Sequence, residues 1–375
     1  MFILKPQKDY ALIDAGDGQK LERYGEYLIA RPDPQALWPK AVFGLANDSA
    51  WLNADAVFAK SGNGGGSGRG GNAGDARRLA NANASTGDAG GQMDEEGEVG
   101  NWIKTRTIPE RWPVKFETGD GLPSLNIYAR LTPFKHTGIF PEQFTNWKWS
   151  MELIKKSLSG DDSGAGEGAK FSKENPPKIL NLFGYSGVAS IACLLAGAHV
   201  THVDSSKGAV TWANENAELS GVLDKPVRWI LEDAVSFIKK EIRRGNKYDG
   251  IILDPPAFGR GAKGEVWKIE RDFLPFLELI YELLSDKALF LILNGYAAGY
   301  SSIAYAQNLN GLVKKMGGEV EYGELCIEQN MDDFSKLTGG GNVGENNAQK
   351  SAGTQSQKQS PILLPCGIVA RWKSN

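Results

Sequence analysis

The stretch KILNLFGYSGVASIACLLAGAHVTHVD, Lys178 to Asp204, decides how the rest of the chain is read. KILNLF is an apolar run of strand length. FGYSG carries Gly184 and Gly187, which let the backbone turn sharply and approach a ligand closely. VASIACLLAGA has helical length and stops at Gly197. HVTHVD is again a strand and ends on Asp204. Strand, turn, helix and strand make one βαβ unit, whose two strands run parallel.

The rhythm continues downstream. SKGAVTWANENAELSG reads as a helix stopped by Gly221, and VRWILED as a strand. AVSFIKKEIRRG is a helix with late cations, where the dipole favours them. YDGIILD is a strand. ERDFLPFLELIYELLS is a helix in which Pro275 is expected to displace or kink the first turn. ALFLILN and SIAYAQNLNGLVKKMG complete the alternation. This pattern predicts an α/β fold: a parallel, doubly wound sheet with right-handed crossovers. EVEYGELCIEQ and LLPCGIVARW then follow with no helix between them, so an antiparallel hairpin is expected at the sheet edge.

Upstream, residues 1–60 hold short extended pieces, with a turn at Gly16-Asp17-Gly18, and read as a small β-rich module. Residues 61–100 collapse to Gly, Asn, Ala, Ser and Asp, which cannot bury enough apolar surface to order, so a disordered insertion is expected. Residues 101–150 resume the β-rich module and lead to the ligand end of the main domain, 151–375. Within that domain 330–361 reads as a second low-complexity insertion.

A net charge of -3 excludes polyanion binding by bulk charge. A local patch is available in Arg260, Lys263, Lys268 and Arg271, interleaved with Glu265, Glu270 and Asp272. Cys193, Cys326 and Cys366 follow no disulfide or zinc spacing. His199 and His202 point to opposite faces of their strand, so no shared metal is expected. The first residues hold too short an apolar run for a signal peptide, and no run reaches membrane-spanning length. The expectation is a cytoplasmic chain without metal or membrane partner.

Ligands of such sheets bind beyond the carboxyl ends of the strands. There the sequence places Asn181 to Gly187, then Asp204, then Glu232-Asp233-Ala234, then Asp254-Pro255-Pro256-Ala257-Phe258. The turn is not GxGxxG, which disfavours a dinucleotide. Each acid alone could be a helix N-cap. A glycine turn with three strand-end acids in register is far more specific.

These motifs, ILNLFGYSGVAS, THVDSS, WILEDA and LDPPAF, resemble those of the class I S-adenosylmethionine (SAM)-dependent methyltransferases. The DPPxF form is similar to that of the bacterial large-subunit ribosomal RNA methyltransferases. HTGIFPEQ resembles the stretch that packs near the cofactor in that family. The resemblance implies a Rossmann-like, seven-stranded sheet. It implies that Asn181, Phe183, Gly184 and Gly187 wrap the methionine part, Asp204 the ribose and Asp233 the adenine, with Asp254 beside the methyl group. Tyr185, Ser205 and Ala234 adjoin them in the implied cofactor set. The implied partner is RNA, ribosomal RNA foremost; a protein or small-molecule substrate, or a non-catalytic RNA-binding module, stays open.

The DPP arm suits methyl transfer for a physical reason. Pro255 and Pro256 have no N–H and a fixed φ, so the arm is stiff. Asp254 and the Pro255 carbonyl are acceptors, and Phe258 can stack on a planar ring. No cysteine follows Asp254, and only Cys366, at the start of an antiparallel strand, could reach the ligand face. Methylation without a cysteine adduct is therefore expected.

Overall fold

The computed structural model describes residues 1–40, 48–60, 100–159, 171–260, 266–296, 299–338 and 360–375. The insertion expected at 61–100 lies outside them save for Gly100, and so does 339–359 of the second one.

The main sheet contains β1 (Phe2–Leu4), β2 (Lys178–Leu182), β3 (His199–Asp204), β4 (Val227–Leu231), β5 (Gly250–Leu253), β6 (Phe290–Gly295), β7 (Glu319–Glu328) and β8 (Leu363–Lys373). Its order is β1-β7-β8-β6-β5-β2-β3-β4. Strands β6, β5, β2, β3 and β4 are mutually parallel neighbours. Strand β8 is antiparallel to both β6 and β7. The hairpin is present, but it does not form the edge. Phe2–Leu4 pairs in parallel with Leu325–Ile327 and adds an eighth strand there. Three residues separated from the sheet by a whole module carry no local signal for that pairing.

The helices are α1 (Phe144–Ser159), α2 (Val188–Ala196), α3 (Lys207–Leu219), α4 (Ala234–Arg243), α5 (Ile269–Leu283) and α6 (Ser302–Met316). Pro275 lies inside α5, which is one helix from Ile269 onward. The central strands β2, β5 and β6 are almost wholly buried, because helices cover both faces.

Residues 10–104 contribute a five-stranded sheet of Tyr10–Gly16, Gln19–Tyr24, Tyr27–Pro32, Ala56–Lys60 and Gly100–Lys104. Trp112–Phe116 and Leu125–Ala129 form a separate antiparallel pair. Asp17 and Gly18 make the first hairpin turn with positive φ. One apolar cluster runs from Tyr10 and Phe116 through Trp147 to Ile179 and Ile292, so this sheet and the main sheet share a core. The segment read as low complexity from 330 begins with a helix, Met331–Leu337. Asn330 caps it by accepting from Asp332 and Asp333, and Phe334 packs in one cluster with Ile13 and Trp51. Met331, Phe334 and Leu337 recur every third residue, but seven residues set in a polar run are too short for that period to stand out; the partner surface supplies the stability.

Glu22 is fully buried on that N-terminal sheet. It accepts from Arg31 Nε at 2.6 Å and from the Tyr10 hydroxyl at 2.8 Å. Burial opposes its charge, but Arg31 and Lys20 prevail and hold the carboxyl at about 2. Glu22→Gln should therefore cost about 3–5 kcal/mol, since it leaves buried cations uncompensated. A lowered urea midpoint at pH 7 checks this. Because the folded value is depressed, the wild-type advantage should persist above 4.5 and fade as pH falls toward about 2.

Candidate active site

The turn after β2 is conformationally costly. Phe183, Tyr185 and Gly187 have φ of 57°, 47° and 81°, and only glycine adopts that region freely. Asp204 compensates: one carboxylate oxygen accepts from Tyr185 N at 2.9 Å and the other from Ser206 N at 2.8 Å. Burial pushes its carboxyl above the ordinary range. Ser206, not Asp204, caps α3. Beneath the turn a Cβ on Gly184 would stand 2.4 Å from the His202 ring. Ser190 Oγ takes a hydrogen bond from Asn181 Nδ2 at 2.9 Å and lies 3.0 Å from His202 Nδ1. Burial holds that imidazole neutral, pushed down to about 3.

A strap formed by residues 136–143 crosses the turn. Ser186 Oγ donates to the Gly138 carbonyl at 2.5 Å. Gly138 must be glycine, because φ is 83° and a Cβ would lie 2.0 Å from the Trp212 ring. Phe140 meets the Tyr185 ring at 5.9 Å and the Tyr296 ring at 5.7 Å. Between strap and sheet lies a narrow cleft that opens to solvent.

Asn181, Phe183, Gly184, Tyr185 and Asp254 line this cleft together. Gln143, Asn146 and Asn294 line it too. Gln143 ends the HTGIFPEQ stretch, whereas Asn146 and Asn294 carry no motif, although ALFLILN ends on Asn294. A one-way hydrogen-bond chain orders them. Arg371 Nη1 donates to Asn146 Oδ1 at 3.3 Å, and Asn146 Nδ2 donates to Gln143 Oε1 at 2.8 Å and to Asn294 Oδ1 at 3.0 Å. Gln143 Nε2 donates to the Tyr296 hydroxyl at 2.7 Å, which donates to Glu142 Oε1 at 3.0 Å. Burial raises the Glu142 carboxyl.

Asp254 sits at the end of β5, half-buried, and lines the cleft. Among the described residues no donor hydrogen-bonds that carboxyl. Burial, and then the Glu142 charge, push it up to about 8. Beyond it Pro255 is buried and Pro256 exposed. The Pro256 carbonyl accepts from Trp267 Nε1 at 2.6 Å, and the Ala257 carbonyl accepts from Ile269 N at 3.0 Å. Phe258 starts a two-stranded ribbon, Phe258–Arg260 with Val266–Lys268. Trp267 also meets Phe183 at 5.8 Å, joining the arm to the glycine turn. Arg271 pairs with Asp272 at 2.7 Å, as on an ordinary solvated helix face.

Several candidate residues lie outside the cleft lining. Gly187 sits under the turn, where a Cβ would be 2.7 Å from Ala213. Asp233 caps α4, accepting from Ser236 N at 2.8 Å, and borders a second groove with Lys239 and Trp267. Ala234 is the buried first residue of α4, and Ser205 is exposed beside Asp204. None of the cysteines is a ready thiolate. Burial pushes Cys193 up to about 12 and Cys366 well above its ordinary value. Among the described residues no cluster of His, Cys, Asp and Glu could hold a metal, and no helix could cross a membrane.

No family model matches the chain. Over 184 residues it is 29% identical to the ribosomal RNA large subunit methyltransferase K/L of Shewanella frigidimarina, covering 48% of this chain and 21% of that protein. Over 149 residues it is 30% identical to the K/L enzyme of Shewanella woodyi, covering 39% and 20%. The matched part thus spans about a fifth of these relatives. A crystal structure of a SAM-dependent methyltransferase from Agrobacterium tumefaciens is 33% identical, with a TM-score of 0.72, covering 100% of this chain and 93% of that one. A proposed SAM-dependent methyltransferase from Streptococcus mutans shares the fold at 17% identity and a TM-score of 0.53, over 97% of this chain and 75% of that one.

The Asp254 carboxyl makes a testable demand on the free protein. An acid whose folded value is raised stabilises the fold at low pH and loses that contribution as pH rises toward the folded value. Asp254→Asn keeps the neutral shape. Its thermal midpoint should gain on wild type progressively between pH 5 and pH 8, by a few degrees. Scanning calorimetry across that range checks it, and a constant offset would refute a raised Asp254 carboxyl.

Proposed function

Because this chain belongs to the SAM-dependent methyltransferases, we propose that it methylates a base of RNA, ribosomal RNA foremost, without a covalent cysteine adduct. The observation that carries the site assignment is the unpartnered Asp254 carboxyl in a cleft built on the glycine turn. The names of the Shewanella relatives support the substrate class. The raised values of Cys193, Cys326 and Cys366 support the absence of an adduct.

The residues fit the cofactor. The turn of Phe183, Gly184, Tyr185 and Gly187, with Asn181 below it, takes the methionine end. Asp204 keeps lone pairs for the ribose hydroxyls, with Ser205 alongside. The family resemblance assigns the adenine to Asp233 and Ala234 at the start of α4. When bound, the cofactor supplies an electrophilic methyl group on a sulfonium. The protein's part is mainly alignment at near-attack distance. The strap through Gly138 and Phe140 shields the site from water. Asp254 and the Pro255 carbonyl accept from the target, and Phe258 offers a stacking face. The prolines keep the two acceptors from swinging away.

Asp254→Ala should lower turnover by about 10²–10⁴-fold, the usual worth of a positioned proton acceptor. Mass spectrometry of ribosomal RNA nucleosides from a deletion strain should show one methylated nucleoside missing. Wild-type chain should restore it and Asp254→Ala should not. An unchanged nucleoside profile would count against RNA. Labelled methyl groups appearing instead in the RNase-treated fraction of an extract would move the substrate to protein or a small molecule.

A further inference from the structure

Two amides that line the cleft are held from behind, and in opposite senses. Asn181 stands on β2 and Asn294 near the end of β6, and both are buried. Asn294 is set by a cation. A guanidinium only donates, so Arg371 Nη1 takes Asn146 Oδ1, and Asn146 Nδ2 is left to donate to Asn294 Oδ1 at 3.0 Å. Arg371 is itself fixed, because its Nη2 donates to Glu321 at 2.7 Å. With its carbonyl taken, Asn294 has Nδ2 left for a ligand.

Asn181 is set by a hydroxyl and an imidazole. Its Nδ2 donates to Ser190 Oγ at 2.9 Å. Ser190 is fully buried, so its own hydrogen needs an acceptor, and His202 Nδ1 lies 3.0 Å away. His202 Nε2 is buried without a partner, so the bond to Ser190 is what fixes the ring. Gly184 lets the turn close over both groups: a Cβ there would stand 2.5 Å from His202 Nδ1 and 3.1 Å from Asn181 Nδ2. With its nitrogen taken, Asn181 has Oδ1 left for a ligand.

We propose that Asn181 and Asn294 read the two charges of an amino-acid group, the Asn181 carbonyl accepting from its ammonium and the Asn294 amide donating to its carboxylate. Ser190 with His202, and Arg371 through Asn146, are then positioning residues. They decide which end of each amide the ligand meets. This rests on the reading of the cleft as the cofactor site, and it names the group that the site selects. The spacing suits it. Asn181, Ile252 and Ile292 form one row across β2, β5 and β6, and Asn294 lies further along β6. Strands about 5 Å apart, with a rise of about 3.3 Å per residue, put the two Asn backbones about 12 Å apart. An amino-acid group about 3 Å across, with a hydrogen bond of about 2.9 Å on either side, fills most of that span and leaves the rest to the Asn side chains. An ionised phosphate, which only accepts, would set its charge against the Asn181 carbonyl.

Three ligands test the assignment without any RNA. The full chain is titrated calorimetrically with S-adenosylhomocysteine (SAH) and with two analogues. One carries hydrogen in place of the α-amino group, the other hydrogen in place of the carboxylate. Wild type should bind each analogue about 10–100-fold more weakly than SAH, the usual worth of a hydrogen bond to a charged group. Asn181→Leu should erase the preference for the amino group and keep the preference for the carboxylate. Asn294→Leu should do the reverse. Ser190→Ala should shrink only the first preference, and Arg371→Gln only the second. A purely structural role would weaken all three ligands alike and leave both ratios unchanged. Where Arg371→Gln does not fold, Asn146→Leu breaks the same link. Equal affinities for the three ligands in wild type would overturn the proposal, as would ratios that Asn181→Leu and Asn294→Leu leave untouched. A des-amino analogue that binds as tightly as SAH would mean that the chain from His202 runs the other way, with Nδ2 of Asn181 toward the cleft, and would also overturn it. Failure of wild type to bind SAH at all would instead sink the cofactor reading.

Discussion

A single carboxylate, Asp204, holds the ligand end of the sheet in shape. The turn after β2 places Phe183 and Tyr185 in left-handed backbone, a conformation side chains resist at about 1–2 kcal/mol each. The charge-assisted bond from Tyr185 N and the second one from Ser206 N offset that cost. They also tie the end of β3 to the turn beside it. With the turn held open, Asn181 and Gly184 can line the cleft, and Ser186 can reach up to the strap. Without it the backbone would relax into an ordinary strand–helix connection, and the cleft would lose its floor.

The roof comes from elsewhere in the chain. Gly138 and Phe140 belong to the segment between the β-rich region and α1, and they sit over the turn because Trp212 and Tyr185 pack against them. The N-terminal sheet is more than an appendage. It shares an apolar cluster with the main sheet, and its cations Lys20 and Arg31 act on Glu142. Packing thus binds the first strands of the chain to the main sheet. The polar chain from Arg371 extends the same logic inward from β8. Its buried amides are satisfied in one direction, so each side chain has one orientation to offer a ligand.

Much of this was legible before any coordinates. The alternation from Lys178 onward names the strands and helices of the main sheet within a residue or two, because strand and helix periods differ and Gly197 and Gly221 punctuate them. Asp204 and Asp254 stand out as strand-end acids by the same reading. What escaped had no local signal. Phe2–Leu4 joins the sheet through a partner more than 300 residues away. Met331–Leu337 is a single short helix whose Phe334 and Leu337 pack against the N-terminal sheet. Asp233 carries a helix cap, the use its neighbours Ala234 to Ser236 offer it. Trp267 follows the DPP arm by eleven residues and turns back onto the Pro256 carbonyl through a ribbon no motif announces.

The sequence by itself determined the kind of fold, the end of the sheet where a ligand binds and the acid that ends β5. Those are consequences of periodicity and of strand direction, which are local properties. Only the tertiary structure decided the surroundings of that acid. Asp254 is an ordinary carboxyl in the chain and is pushed up in the fold, because burial and then the Glu142 charge disfavour its ionised form. Desolvation and neighbouring charge depend on distances between residues far apart in sequence, and no spacing rule contains them.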